Sequence, residues 1–381
     1  MEKRKIIFLL ILISSLVAGL FADDGFIYGM KRKKLTIPDI PGFMTMKCDL
    51  HMHSVFSDGD VWPDVRANEI WLEGLDAFSI TDHLEWNPHS GTLPPDLNKP
   101  HEIASIRAKQ LGILEIPGAE ITRDFPAGQF TGHFVALFIT DANAIHRDDI
   151  SEEVKAASDQ GAFVFWAHPV AVPLPEVDAL ISGKYVNGIE IVNEYSYYSA
   201  ADIFAKKNKL PVLGNTDIHQ PSYTVINGRR TMTLAFVKSR DEEGLRDALF
   251  QGRTVVYSTT GTLYGYPEYL KALFDASVAI GKEKMSIGPE ASAILKVKNT
   301  SDIQYKVAFE YPGSDISMPS GITITPNGET RIKIGKGKIV QPKGPKQVQI
   351  KMSITNCVVG TTGSGAENPL VIPVVLNIDY L

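Results

Sequence analysis

Between Met46 and about Val256, short apolar runs alternate with helix-like stretches, and most of the runs end in a side chain able to ligate a cation. The candidate strands are Met46–Leu50, Ala77–Ile80, Ile113–Ile116, Phe134–Ile139, Ala162–Trp166, Gly188–Val192 and Pro211–Leu213. Helix-like segments fall between them at Pro63–Glu73, Lys99–Leu111, Glu152–Asp159, Ala200–Lys207 and Glu242–Gln251. Pro63 suits a first helical turn, and Gly74, Gly112 and Gly161 suit helix ends. Alternating strands and helices imply parallel strands joined by right-handed crossovers. Seven such strands in sequence favour a closed barrel over an open sheet. In a parallel barrel the C-terminal strand ends share one face, so whatever they carry converges there.

What they carry is uniform in chemistry. The first strand runs into His51-Met-His53 and then Asp58. Alternate strand residues point to one face, so His51 and His53 reach a single ion. The second strand runs into Thr81-Asp82-His83, the third into Gly118-Ala-Glu120, the fifth into Ala167-His168-Pro169 and the seventh into Asp217-Ile-His219. His133 opens the fourth. Thus six of the nine histidines track strand ends, while His89, His101 and His146 lie in loop- or helix-like sequence and read as bystanders. Crowding such groups costs desolvation and repulsion unless a cation binds them.

From about Gly281 the helical pattern gives way to strand-like runs at Ala293–Val297, Tyr305–Phe309, Ile322–Ile324, Arg331–Ile334, Gln347–Ile354 and Leu370–Ile378. Turn residues separate them, and several alternate polar and apolar, as in an antiparallel β-sandwich. Pro267–Val278 reads as a helix closing the first unit. The expected organisation is a signal peptide over 1–22, an extension over 23–45, a barrel over 46–280 and a β-sandwich over 281–381. The N-terminus has a basic head, Lys3-Arg-Lys5, and an apolar run from Ile6 to Leu20 ahead of Asp23-Asp24. That pattern predicts export to the periplasm, cell surface or medium, with an uncleaved anchor as the alternative. A formal charge of −6 argues against a nucleic-acid partner, which needs a basic face. Two cysteines, Cys48 and Cys357, are too few for a disulfide-stapled fold. Cys48 reads as a buried thiol.

The motifs His51-x-His53-x-x-x-Ser57-Asp58-Gly59, Thr81-Asp82-His83, the Glu120 turn, Ala167-His168-Pro169 and Asp217-x-His219 follow one another in an informative order. In these the chain resembles the PHP (polymerase and histidinol phosphatase) superfamily of metal-dependent phosphoesterases, over about Met46 to Ser258. The resemblance implies a distorted (β/α)7 barrel with two or three divalent ions, zinc, manganese or iron, at its C-terminal rim. Carried over residue by residue, His51, His53, Glu120 and Asp217 hold one ion. Glu120 bridges to a second, held by His133 and His168, and Asp58, His83 and His219 hold a third. The implied reaction is hydrolysis of a phosphate mono- or diester by a metal-activated hydroxide.

Around that centre the sequence offers further candidates. The leaving group takes its proton from a metal-bound water, His219 or Asp82, or else Asp82 orients a neighbouring ligand. Arg123, Arg229 and Arg230 are candidate phosphate clamps, since arginine suits bidentate recognition of phosphate, and Asn193 ends the sixth strand beside them. Tyr195, Tyr197, Tyr198 and Trp62 offer an aromatic wall or ordinary loop packing. The expected partner is a small phosphorylated substrate. The rival readings are hydrolysis of an amide or lactone on the same metals, and a non-catalytic metal-holding module that binds a surface.

Overall fold

The computed structural model describes residues 26–27, 29–125, 132–169, 173–281, 283–289, 291–338, 343–362 and 365–381. The expected signal peptide lies outside the described residues. Among the described residues no helix is long and apolar enough to cross a membrane.

The first part is a distorted (β/α)7 barrel. Strands β1 (Met44–Asp49), β2 (Ala77–Phe78) and β3 (Leu114–Glu115) run parallel, with Cys48 opposite Ala77 and Ala77 opposite Leu114. The chain passes through Pro117 into β4 (Gly118–Ile121). Strand β5 (His133–Leu137) is antiparallel to β4 and to β6 (Phe163–Ala167). Parallel pairing resumes from β6 to β7 (Gly188–Asn193) and on to β8 (Val212–Asn215). Two isolated parallel bridges, Met52 with Ile218 and His83 with Glu120, stitch these strands into one rim. On the other flank β9 (Met232–Val237) pairs antiparallel with β1 and with β10 (Thr254–Tyr257).

The expected all-parallel order therefore fails at β5, and the failure is informative. An antiparallel strand presents its start where its neighbours present their ends. His133 pairs with Ala167 at the end of β6, so a histidine at a strand start still reaches the functional rim.

Helices pack on the outside, and their ends follow local chemistry. Proline occupies the first turn of α1 (Pro63–Leu72) and α2 (Lys99–Leu111), and Gly112 closes α2 at φ 66°. The Asp149 carboxylate accepts from the amides of Ser151 and Glu152 at the start of α3 (Ile150–Asp159), as expected of an N-cap. A further helix, Pro175–Ser182, is not announced by the sequence pattern, which is short there and preceded by prolines. The helix expected over Pro267–Val278 spans Pro267–Ser277, and Val278–Ile280 instead pairs with Ala293–Asn299 in a sandwich sheet.

The C-terminal sandwich is built on a long antiparallel hairpin, β11 (Gly344–Thr361) with β12 (Glu367–Tyr380), in which buried and exposed residues alternate. It does not stand apart from the barrel. The barrel strand Leu263–Gly265 pairs parallel with β11 at Leu263–Cys357 and Tyr264–Val358. One apolar cluster runs from Ile70, Trp71 and Leu234 through Phe274 and Tyr305 to Ile354 and Leu376. Cys48 and Cys357 are both buried free thiols.

Candidate metal centre

The rim is built by extended chain running past β1. His51 accepts the Asp217 amide on its carbonyl, and the His53 amide donates to the Ile218 carbonyl at 3.0 Å, so the first and last rim segments lie side by side. Both imidazoles are fully buried. The following turn folds back closely enough that a Cβ on Gly59 would stand 2.7 Å from the His53 carbonyl carbon, so only glycine fits. His168 at φ 29° and Asp217 at φ 52° are non-glycine residues in the left-handed region, a strain of the kind that collects at functional sites.

Glu120 is the hub. Its Oε1 stands 3.3 Å from His51 Nε2, 3.0 Å from His133 Nδ1 and 3.1 Å from His168 Nε2. Its Oε2 stands 3.3 Å from His53 Nε2 and 2.9 Å from His83 Nδ1. Asp217 Oδ1 lies 2.9 Å from His53 Nε2 and 3.3 Å from His51 Nε2. Asp58 Oδ1 lies 3.2 Å from His219 Nε2 and 3.4 Å from His83 Nε2. All nine candidate ligands thus meet at one place.

Hydrogen bonding accounts for only part of these contacts, such as those of His133 and His168 with Glu120 Oε1. Five imidazoles on one carboxylate exceed the roughly four lone-pair sites it offers. His51 Nε2, His53 Nε2, His83 Nδ1, Asp58 Oδ1 and Glu120 Oε2 are buried without a hydrogen-bond partner. Two donors about 2.0 to 2.2 Å from one ion stand about 3 to 3.5 Å apart, which is the spacing found. Mixed imidazole and carboxylate donors suit zinc, manganese or iron. The residues therefore fit divalent cations. Charge agrees with this. Burial opposes ionisation of Glu120 and Asp217, but the surrounding histidines, His51 foremost, hold both carboxyls well below the usual range. Burial likewise works against a charged His83, yet Asp58 and Glu120 drive it up to about 10. So much buried anionic charge calls for positive charge in its midst.

Residues behind the ligands fix their orientation. The Glu190 carboxylate, fully buried, lies 3.2 Å from His51 Nδ1, accepts the His168 amide at 3.0 Å and accepts from the side chains of Asn193 and Asn215. Glu190 is not among the candidates that the motifs mark. A glutamate inside the apolar run Gly188–Val192 was the available signal. Arg66, also missed, donates to the carbonyls of His53, Ile218, His219 and Gln220, pinning both rim segments. Glu190→Gln should keep the fold and lower metal affinity or turnover about 10- to 100-fold, read by metal titration, because it removes the charge behind His51 and puts a donor in place of one of two oxygens that both accept.

Other candidates land elsewhere. Asp82 accepts from the Ser54 amide at 2.7 Å and from the hydroxyls of Ser54 and Ser57, so it braces the loop behind His53 and is not placed as a proton donor. Asn193 reaches the rim and donates to Asp217 Oδ2 at 3.1 Å. The arginines do not line the large pocket, although Arg229 and Arg230 wall a smaller cavity that shares Asp217 and His219 with the rim. Arg230 is 1 % exposed and held by Asp49 at 2.6 Å and Glu73 at 3.0 Å. Arg229 lies over the Tyr257 ring and donates to the Ser258 carbonyl. Arg123 faces Glu153 at 3.7 Å. None of the three lines the pocket of about 530 Å³ above the cluster, whose walls include Trp86, Thr122, Asn193 and Tyr198. Of the four aromatic candidates only Tyr198 lines it. Trp62 packs on Phe56, Tyr197 stacks on Tyr264, and the Tyr195 hydroxyl donates to the Val225 carbonyl.

A two-domain protein of Bacteroides vulgatus, containing a domain predicted to be a PHP-like metal-dependent phosphoesterase, superposes at TM-score 0.82 with 32% identity. The match covers 91% of this chain and 99% of that one. The chain belongs to this PHP-like family. A proposed metal-dependent phosphoesterase of Bifidobacterium adolescentis matches at 16% identity and TM-score 0.39, over 54% of this chain and 96% of that one. An amidohydrolase of Chromobacterium violaceum follows at 15% identity and TM-score 0.36, over 47% of this chain and 89% of that one. The DUF5001 Ig-like domain family matches residues 278–363, so the PHP-like barrel carries an Ig-like sandwich. No curated protein sequence matches the chain.

Proposed function

We propose that this protein hydrolyses phosphate esters of small molecules at a centre of two or three divalent cations. The observation that carries the reading is the convergence of six imidazoles and three carboxylates at ligand-to-ligand spacing around Glu120. Bound there, the cations would activate water and neutralise phosphoryl oxygens. His51, His53, Glu120 and Asp217 would hold one, His133 and His168 with Glu120 a second, and Asp58, His83 and His219 a third. No lysine or arginine is among the described residues lining the pocket, so the clamp on the phosphoryl group falls to the cations instead of to a guanidinium. His219 has its Nδ1 on the Asp217 carbonyl and its Nε2 3.2 Å from Asp58, so both ring nitrogens are engaged and it would serve the third cation as a ligand and not the leaving group as a proton donor.

The wall opposite suits a substrate with a planar or sugar ring. Trp86 is 55 % exposed at the pocket mouth and stacks on His83, with ring centroids 6.1 Å apart. Trp86→Ala should raise KM for ring-bearing esters roughly 5- to 10-fold while leaving small alkyl phosphates little changed. Equal effects on both classes would remove Trp86 from recognition. The basic, apolar N-terminus further supports an exported protein acting on scavenged esters.

The deciding assay supplies the purified chain with manganese or zinc and offers phosphate monoesters, diesters and small amides. Metal-dependent release of phosphate is the expected result. Cleavage of the amides alone would replace the reading with a carbonyl hydrolase. Metal binding with no turnover on any of them would favour a binding role.

A further inference from the structure

The Ig-like sandwich contacts the barrel where the barrel needs precision. Strand β11 keeps regular antiparallel pairing with β12 as far as Ile354, and the register then shifts between Ile354 and Val358 and again before Gly360. Such irregularities re-aim side chains. Here alternation breaks, and Asn356, Cys357 and Val358 are buried in succession. Asn356 is turned to the barrel. Its Nδ2 donates to the Gly261 carbonyl at 2.9 Å and to the Gln304 carbonyl at 2.8 Å, while its Oδ1 accepts the Lys306 amide at 2.8 Å. At the end of the same strand Thr361 shares a hydrogen bond with the Tyr197 hydroxyl, which also bonds Asp202. The Tyr197 ring stacks on Tyr264 at 4.3 Å, and Tyr264 is paired with Val358.

Both anchors lead to one hairpin. Tyr197 belongs to the short return strand Ser196–Tyr197, paired back on Asn193 and Val192. From Gly261 the path runs through its own turn to Thr259, whose amide donates to Thr231 Oγ1 at 3.0 Å, and Thr231 Oγ1 donates to the Glu194 carbonyl at 2.7 Å. Glu194 sits at φ 51°, a conformation that outside support must hold. The hairpin carries Asn193, which fixes Asp217, and Tyr198, which lines the large pocket. Glu194, Thr231 and Thr259 also wall a cavity of about 90 Å³ that shares Asp217 and His219 with the rim.

We propose that the sandwich, through Asn356 and Thr361, positions the 194–198 hairpin and the 258–262 turn as the wall that receives the leaving-group side of the substrate. The proposal rests on the phosphoesterase reading for its recognition half alone. The sandwich is thus a positioning element for the barrel's site, and Asn356 and Thr361 touch no reacting atom.

The test uses the full metal-loaded chain carrying Thr361→Val, Thr361→Ser or Asn356→Asp. Losing one such hydrogen bond should speed amide hydrogen exchange about 5-fold or more at 194–198 in Thr361→Val, and at 258–262 in Asn356→Asp, with β1 and β6 unchanged. Thr361→Ser, which keeps the hydroxyl, should restore protection. KM for ring-bearing phosphate esters should rise about 3- to 10-fold in the first and third variants, with metal content and kcat held within twofold. Unchanged exchange at both segments overturns the proposal, and so does faster exchange with unchanged KM. Should the wild-type chain cleave no phosphate ester, the phosphoesterase reading falls, and the exchange arm alone still decides whether the sandwich holds this wall.

Discussion

Glu120→Gln is expected to empty the centre of metal and to lower kcat/KM by about 1,000-fold or more, since the cations supply several kcal/mol of transition-state stabilisation and each 1.36 kcal/mol is tenfold. The reason is the hub geometry. Five imidazole nitrogens lie within 3.3 Å of the two Glu120 oxygens, so this carboxylate touches two of the three candidate ion positions and braces His83 of the third. The amide has nearly the same shape but no charge, and it replaces one acceptor by a donor aimed at ligating nitrogens. Metal analysis and turnover should fall together. A Glu120→Gln protein that retains its full metal complement and a tenth of its activity would show that the cluster is not assembled about this residue.

The second large effect is on stability and separates Arg230 from the substrate. Arg230→Ala should destabilise the protein by about 3 to 5 kcal/mol in urea unfolding, the usual result of stripping one partner from a buried ion pair. Burial disfavours the guanidinium's charge, but Glu73 and Asp49 outweigh it and hold Arg230 firmly protonated. Removing it leaves the fully buried Asp49 carboxylate with only the Thr216 amide and hydroxyl. In the folded fraction KM should stay at the wild-type value. A raised KM with unchanged stability would restore Arg230 to the phosphate site. The contrast with Trp86, where KM moves and stability does not, makes the two substitutions a useful pair.

What could be read from the chain alone follows from the reach of each signal. His51 and His53 declare themselves because a period of two is a local property of a strand. His83, His168 and His219 declare themselves by falling just after apolar runs. The arginines are different. Arg229 and Arg230 are adjacent in sequence, yet one lies over an aromatic ring and the other is locked between two acids. A guanidinium close to a strand end is equally compatible with both fates, because its partner comes from another segment: Asp49 and Glu73 are 181 and 157 residues away. Glu190 hid for the opposite reason. It stands inside an apolar strand with no motif around it, and its partners His51, His168 and Asn215 come from three other strand ends.

By itself the sequence determined the strand-and-helix alternation, the strand-like texture of the C-terminal hundred or so residues and the list of candidate ligands, because periodicity, turn residues and side-chain chemistry are written locally. Only the tertiary structure decided that β5 runs backwards and so brings His133 to the rim, that Arg230 is locked between Asp49 and Glu73, and that Asn356 and Thr361 reach across to the barrel at Gly261 and Tyr197. Strand direction, the partner of a buried charge and contacts between units depend on which distant segments meet. That is settled by burying apolar surface and satisfying polar groups over the whole molecule at once.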